Sequence, residues 1–91
     1  MTKSVRFAGT RRLFGEDGLV RLGNARVAII GIGGVGSWAV ETLARTGIGN
    51  LTLIDGDVVV ESNINRQIQA TDSTLGNPKV LALAERIALI N

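Results

Sequence analysis

Two short runs of consecutive apolar residues stand out against the polar positions around them. The run ARVAIIG, residues 25–31, is rich in β-branched side chains, which is typical of a strand covered on both faces in a parallel sheet. The run NLTLID, residues 50–55, has the length of a second strand. The connection between the two runs is long enough for a helix, so the pattern predicts parallel strands joined by a helical crossover.

The connection itself has helical spacing. Its apolar and small side chains recur every three or four positions and so line one face of a helix, which Gly47 is expected to end. The predicted face consists of Val35, Ala39, Leu43 and Thr46.

A second helix is predicted at the end of the chain. Asn77 is its candidate N-cap, Pro78 its first helical residue, and the pattern continues to Asn91. The predicted face consists of Val80, Ala84, Ile87 and Ala88. A helix in this place normally returns the chain to the sheet, so we expect the first part of a longer domain, or a partner chain that completes the sheet.

Residues 3–23 have a weaker pattern. Apolar side chains follow a loosely helical spacing, but glycines at positions 15, 18 and 23 interrupt it. The expectation is a set of short helical turns, which we treat as an N-terminal helical arm over residues 1–24.

Composition limits the available chemistry. The 91 residues contain no cysteine and no histidine, which excludes disulfides, thiolate or imidazole metal sites and Ser-His or Cys-His nucleophiles among them. The apolar runs are far shorter than the roughly 20 residues of a membrane span, and no charged-then-apolar leader opens the chain. We therefore expect a cytoplasmic protein without a membrane span.

The net charge of +2 conceals an asymmetry between the two ends. Residues 1–26 carry six basic side chains against two acidic ones, whereas residues 27–91 carry four against six. The basic end is either a solvated arm or a contact for a polyanion, and composition alone favours the solvated arm.

Glycines are concentrated between the first strand and the first helix. Gly31, Gly33 and Gly36 form the pattern G-x-G-x-x-G, and Gly34 adds another small residue. A loop without side chains can turn tightly, bring its backbone close to phosphates and leave the N–H groups of a helix start aimed at negative charge. Because Asp55 ends the next strand, the context favours a nucleotide site over plain tight turns.

The predicted fold class is therefore α/β: a Rossmann-like parallel sheet with helices on both faces, of which only the first strand-helix-strand-helix part is present. Residues 25–91 form its nucleotide-binding part. The carboxylate of Asp55 would accept hydrogen bonds from a ribose, which fits NAD and ATP equally well.

Two cations after the second strand favour ATP. Arg66 and Lys79 would supply the positive charge that a triphosphate needs when it expels pyrophosphate. The alternative for Lys79 is a solvated side chain that tolerates the helix dipole at a small cost, and the two interpretations are equally supported. Asp57 could hold Mg²⁺, although a turn role beside Gly56 is slightly favoured. Trp38 is interpreted as a core or interface residue rather than a base-stacking platform.

These motifs together resemble the HesA/MoeB/ThiF superfamily, the adenylyltransferases related to ubiquitin-activating enzymes. The resemblance runs from GIGGVGSWAVETLARTGIGNLTLIDGDVV through SNINRQ to GNPK, in the family's order and spacing. Within it, RFAGTRRLFGEDGLVRL and GGVGSWAVE are most similar to the tRNA threonylcarbamoyladenosine dehydratase branch, which cyclises a modified adenosine in tRNA using ATP.

The resemblance implies a role for each matching residue. A substrate carboxylate attacks the α-phosphorus of ATP to give an acyl-adenylate and pyrophosphate, with Mg²⁺ accompanying the nucleotide. The implied phosphate loop is formed by the glycines of the motif, and Asp55 binds the ribose. Asp57 belongs to the polar rim, and Asn63, Arg66 and Lys79 contact the phosphates.

The resemblance also implies a homodimer in which an N-terminal arginine enters the neighbour's ATP site. Arg12 is the best candidate, with Arg6 and Arg11 as alternatives. The family's downstream magnesium-binding aspartate has no counterpart before Asn91, so these residues alone are expected to be inactive. Alternatives are adenylylation of a ubiquitin-like sulfur carrier, an NAD-dependent oxidoreductase and a non-catalytic dimerisation scaffold.

Overall fold

The fold alternates helices and strands, as the α/β class requires. The computed structural model describes residues 5–91, so the first four residues of the predicted arm lie outside the described part. In chain order the elements are α1 (Ala8–Asn24), β1 (Arg26–Ile30), α2 (Gly36–Thr46), β2 (Asn50–Ile54), a short 3₁₀ helix (Glu61–Asn63) and α3 (Lys79–Ala88).

The two predicted strands form a parallel pair, which confirms the predicted sheet. Their register runs from Arg26 opposite Asn50 to Ile30 opposite Ile54. Exposed and half-buried residues alternate along both strands, and Ile30 is 80% exposed. Within residues 5–91 the sheet is therefore covered on one face, whereas the continuous apolar run had predicted cover on both.

The core lies between that face of the sheet and the helices α2 and α3. Ile32, Val40 and Leu83 are fully buried and pack against half-buried strand residues such as Ile29 and Leu53. Burying apolar side chains of this size is the main stabilising contribution available to so small a unit.

The buried face of α2 differs from the predicted one. Its buried residues are Ser37, Val40, Glu41 and Ala44, whereas Val35 is 85% exposed. The prediction was wrong because it followed apolar periodicity, while this helix also buries a serine and a glutamate that have polar partners. The predicted helix end is confirmed, since Gly47 takes the left-handed conformation (φ +108°) that favours glycine.

Helix α3 is shorter than predicted and shifted by one residue. It begins at Lys79 with Pro78 as the preceding cap residue, and it ends at Ala88 rather than at Asn91. Lys79, Ala82 and Leu83 are its buried residues. Of the face that periodicity predicted, Val80 and Ile87 pack against the core, and the whole face lines an apolar groove of about 580 Å³ beside β2.

Glu41 connects the two core helices through an ion-pair cluster. Arg86 of α3 donates to both carboxylate oxygens of Glu41, at 2.8 and 3.0 Å, and Arg45 donates to one of them at 2.8 Å. The hydrogen bonds from Arg86 are the main reason that the pKa of Glu41 lies below its ordinary value of 4.5, although burial opposes this effect.

Replacing Glu41 with glutamine is expected to lower the free energy of unfolding by about 1–2 kcal/mol at pH 7, the lower part of the range for hydrogen bonds to charged groups because Arg86 is partly solvated. Glu41 contributes to the free energy of unfolding at pH values above its pKa in the unfolded state. This contribution is lost as the pH falls through the pKa of Glu41 in the folded state, which is lower. Urea unfolding should therefore show a smaller difference from wild type at pH 3 than at pH 7. Glu85→Gln, at an exposed position on α3, is the control, and an equal loss in both variants would contradict this assignment.

Helix α1 is a longer element than the predicted short turns. It consists of two helical segments that meet at Gly15, whose φ of +79° is not helical, so the interruption predicted at this glycine is present. Its C-terminal end lies at the start of β2, where the N–H of Gly49 donates to the carbonyl oxygen of Leu22 at 3.1 Å. Helix α1 thus lies at the amino-terminal ends of the strands, opposite the glycine loop at their carboxyl ends. Among residues 5–91, no helix is both long and apolar enough to cross a membrane.

Candidate nucleotide-binding site

The glycine loop follows the carboxyl end of β1 and leads directly into α2. Gly31 donates to the carbonyl oxygen of Ile54 at 2.8 Å and has a φ of +85°, which lets the chain leave the sheet in a tight turn. A Cβ atom on Gly36 would overlap the carbonyl oxygen of Gly31. These two glycines are therefore required by the loop's own geometry.

Gly33 and Gly34 have a different environment. A Cβ on Gly33 would lie 3.7 Å from Nε2 of Gln67, and one on Gly34 would lie 3.6 Å from Cδ of Arg66, both ordinary contact distances. Helix α2 begins here without a side-chain cap. The positive end of its dipole and its first N–H groups can therefore serve an anion that approaches the loop.

Asp55 holds the loop in place. One of its carboxylate oxygens accepts from the N–H of Ile32 at 2.9 Å, and the other accepts from the N–H of Asp57 at 2.8 Å. These bonds, that of Ile32 first, hold the pKa of Asp55 below its ordinary value, with a smaller contribution from the charge of Lys79. The side chain is therefore an anion at neutral pH, and sequence reasoning missed its contact with the loop.

Lys79 is buried, which contradicts the interpretation as a solvated lysine. Only 6% of the residue is exposed, and its Nζ lies 4.0 Å from a carboxylate oxygen of Asp57, which is itself exposed. A backbone bond from Lys79 to the carbonyl oxygen of Asp57 (3.0 Å) holds the two residues together. A lysine side chain is rarely enclosed to this extent with only an exposed carboxylate beside it, so a cation kept here points to a role beyond solubility.

Arg66 is exposed and lies over the glycine loop. Its Nη1 donates to the carbonyl oxygen of Ser62 at 2.9 Å and to the side chain of Asn65 at 3.1 Å. Its aliphatic stem passes beside Gly34. The guanidinium group is thus placed at the loop while part of its hydrogen-bonding capacity faces solvent.

Asn63 is buried and has a structural contact. Its Oδ1 accepts from the N–H of Val60 at 2.9 Å and so closes the short 3₁₀ helix. The segment that contains it is a series of hydrogen-bonded turns rather than an open loop. Phosphate contact by Asn63 stays a prediction.

The segment after Arg66 is hydrogen-bonded to the glycine loop and to the start of α2 through residues that sequence reasoning missed. Gln69 donates to the carbonyl oxygen of Ile32 at 3.1 Å, and the hydroxyl of Ser37 accepts from the N–H of Ile68 at 3.4 Å. The only signal in the sequence was a run of polar residues, which does not indicate what each one contacts.

Arg12 stands apart from these groups. It is an exposed residue of α1, and α1 meets the sheet at the edge opposite the glycine loop. The structure thus brings together the loop, Asp55, Asp57, Arg66 and Lys79, and it does not bring Arg12 of the same chain to them.

No cluster of three acidic, histidine or cysteine side chains that could hold a metal occurs among the described residues. Asp57 is the exposed carboxylate nearest the candidate site. Mg²⁺ commonly binds one or two carboxylates together with the phosphates of a nucleotide, so these residues fit a metal that arrives with the nucleotide better than a resident one.

Comparison with known proteins agrees with this geometry. Residues 7–91 match the model of the ThiF family. The chain is 55% identical over 86 residues to the tRNA threonylcarbamoyladenosine dehydratase of Haemophilus influenzae, covering 94% of this chain and 33% of that protein. It is 45% identical over 80 residues to the molybdopterin-synthase adenylyltransferase of Escherichia coli, covering 88% of this chain and 32% of that protein.

A solved structure is similar over nearly all of the chain. The crystal structure of E. coli tRNA N6-threonylcarbamoyladenosine dehydratase, TcdA, in complex with ATP superimposes with a TM-score of 0.94 at 53% identity, covering 97% of this chain and 36% of that one. The chain thus spans about a third of the length of the relatives it matches.

Proposed function

The chain belongs to the ThiF family, and from this premise we propose that it is the nucleotide-binding part of an enzyme that adenylylates a substrate carboxylate with ATP. The observation that carries the proposal is the buried Lys79, held beside Asp57 at the edge of the sheet where the glycine loop lies. Together with Arg66 it offers two cations to one bound polyphosphate. An NAD site needs less positive charge, because the pyrophosphate bridge of NAD does not leave.

The reaction requires little covalent chemistry from the protein. An oxygen of the substrate carboxylate forms a bond to the α-phosphorus of ATP, and the bond from that phosphorus to the bridging oxygen breaks. The electron pair of that bond leaves with pyrophosphate. Lys79, Arg66 and the loop N–H groups stabilise the charge that develops on the phosphates, and Asn63 assists at the same place. Mg²⁺ bound with ATP supplies further neutralisation.

Asp55 is proposed to bind the ribose. Both of its oxygens already accept a backbone N–H, but a carboxylate has about four acceptor positions, so each oxygen can accept one more hydrogen bond. The same side chain would then order the loop and fix the sugar relative to the phosphates.

The proposed substrate is the threonylcarbamoyl carboxylate of tRNA threonylcarbamoyladenosine, whose activation leads to ring closure with loss of AMP. The relatives that bear this name have the higher identity, 55% and 48%, against 45% for the molybdopterin-synthase adenylyltransferase. This second relative supports an alternative substrate, the C-terminus of a ubiquitin-like sulfur carrier. Either reaction would take place in the cytoplasm.

Isotope exchange between pyrophosphate and ATP tests this function. The whole enzyme that contains these residues should exchange label in the presence of Mg²⁺ and tRNA that carries threonylcarbamoyladenosine, and calorimetry should detect binding of ATP but not of NADH. Exchange only with a sulfur carrier would favour the alternative substrate. If the protein bound NADH but not ATP, adenylylation would be refuted. If it bound neither nucleotide, the non-catalytic dimerisation scaffold would be the remaining alternative.

A homodimer with shared sites is part of the proposal, because Arg12 lies on α1, away from the loop of its own chain. If Arg12 acts on the partner's ATP, then mixing inactive Arg12→Ala with inactive Lys79→Ala restores one intact site in each heterodimer. After random exchange of equal amounts, about a quarter of the wild-type activity should return, since half of the dimers are mixed and each has one good site of two. No recovery, despite heterodimers seen by native mass spectrometry, would show that Arg12 does not act on the partner's site, and full activity of Arg12→Ala alone would show that it has no role in the reaction.

A further inference from the structure

Trp38 makes a contact that core packing does not explain. It is the chain's single tryptophan, and it is 51% exposed on the first turn of α2. Its indole Nε1 donates to the carbonyl oxygen of Arg66 at 2.8 Å, across 28 positions of sequence. A half-exposed tryptophan thus fixes the backbone of a predicted phosphate-binding arginine.

This contact has two neighbours that act on the same segment. The hydroxyl of Ser37 accepts from the N–H of Ile68, and the side chain of Gln69 donates to both Ile32 and Gln67. We call residues 66–69 the clamped segment. It is tied to the start of α2 and to the glycine loop by these polar contacts, and its Ile68 side chain also packs against the core.

The guanidinium group of Arg66 depends on this placement of its backbone. The guanidinium group donates hydrogen bonds to Ser62 and Asn65, which are near in sequence. These bonds move with the segment and do not anchor it to the loop. The bond from Trp38 connects Arg66 to the rigid helix that starts at the loop. A displacement of a catalytic group by about 1 Å can cost orders of magnitude in rate.

We propose that Trp38 is a positioning residue for Arg66: its indole N–H sets where the guanidinium meets the phosphates of the transition state. The proposal rests on the proposed function. It adds to it a residue that touches neither nucleotide nor substrate and acts only through Arg66.

A double-mutant cycle tests this proposal. Trp38→Phe keeps an aromatic ring and removes the donor, and it is expected to lower kcat about fivefold, the factor that corresponds to one net hydrogen bond, with a smaller change in the KM for ATP. In an Arg66→Ala background the same substitution should have no further effect, because the group that Trp38 positions is gone. Thr42→Val is the matched control, since it removes a hydrogen bond to the carbonyl oxygen of Trp38 and leaves the indole contact in place.

Two results of the double-mutant cycle would contradict the positioning role of Trp38. An equal loss of rate from Trp38→Phe in both backgrounds would mean that Trp38 stabilises the fold and does not act through Arg66. An unchanged kcat in Trp38→Phe would also overturn the proposal.

Amide hydrogen exchange separates failure of this proposal from failure of the proposed function. In the clamped segment, the N–H of Gln67 donates to the carbonyl oxygen of Asn63 and that of Ile68 to the hydroxyl of Ser37. Both N–H groups should exchange faster in Trp38→Phe than in wild type or Thr42→Val. If the protein had no adenylylating activity, the proposed function would fall, and faster exchange would still support positioning of the segment. Unchanged exchange would overturn it.

Discussion

Replacing Lys79 with methionine should lower pyrophosphate exchange by about a hundredfold or more, the usual effect of removing one charged group that stabilises a transition state. The fold should survive, because methionine fills a similar volume and replaces the enclosed aliphatic stem of the lysine. The melting temperature should therefore be unchanged while exchange is lost. Kinetics and thermal unfolding on the same preparation measure both effects.

The control for charge is Arg26→Met. Arg26 is exposed at the start of β1, the edge of the sheet opposite the glycine loop, so its removal changes the net charge equally without touching the candidate site. Loss of exchange in both variants would indicate general electrostatic attraction of ATP. A large loss of stability in Lys79→Met would show that the lysine is structural.

Gly36→Ala should destabilise the protein by about 3 kcal/mol, the upper part of the range for overpacking, because the added Cβ meets backbone that cannot rotate away. Gly34→Ala should behave in the opposite way. Its Cβ would make only ordinary contacts with Arg66, so stability should be kept, whereas the methyl group occupies the space needed by phosphates and ATP affinity should fall.

Thermal unfolding and ATP titration of both variants test this division. Gly9→Ala is the control, since nothing lies within 4 Å of its Cβ and it lies within α1. Equal stability of Gly36→Ala and Gly34→Ala would contradict the loop geometry. Unchanged ATP affinity in Gly34→Ala would contradict the phosphate-binding role of this part of the loop.

The strands and the glycine loop were predictable because their signals are local. An unbroken β-branched run has few alternatives to a strand, and the glycines follow it directly. The helices were predicted less well: the boundaries of α3 and the buried face of α2 differ from the prediction, since periodicity detects hydrophobicity only. Helix α2 buries Ser37 and Glu41 because each has a polar partner distant in sequence: Ile68 for the serine and Arg86 for the glutamate.

In the candidate site, too, local sequence patterns did not reveal contacts between residues that are distant in sequence. Spacing indicated Arg66 and Lys79 as cations near the glycines, but nothing local predicted that Lys79 would be buried or that Asp55 would bind the loop. The placement of Lys79 accompanies the pairing of Val58 with Pro78, which brings Lys79 beside Asp57. The contact of Asp55 with the loop follows from the pairing of β1 with β2, which brings Ile32 and Asp55 together just beyond the strand ends. Such long-range backbone pairing is invisible to periodicity, and so is the contact of Trp38 with Arg66.

The most direct test is a crystal structure of the protein with a non-hydrolysable ATP analogue. We expect phosphate oxygens about 3 Å from Nζ of Lys79, from the guanidinium of Arg66 and from the N–H groups around Gly34, with the ribose hydroxyls on Asp55. A nucleotide bound elsewhere, or one at the loop whose phosphates point away from both cations, would contradict the account.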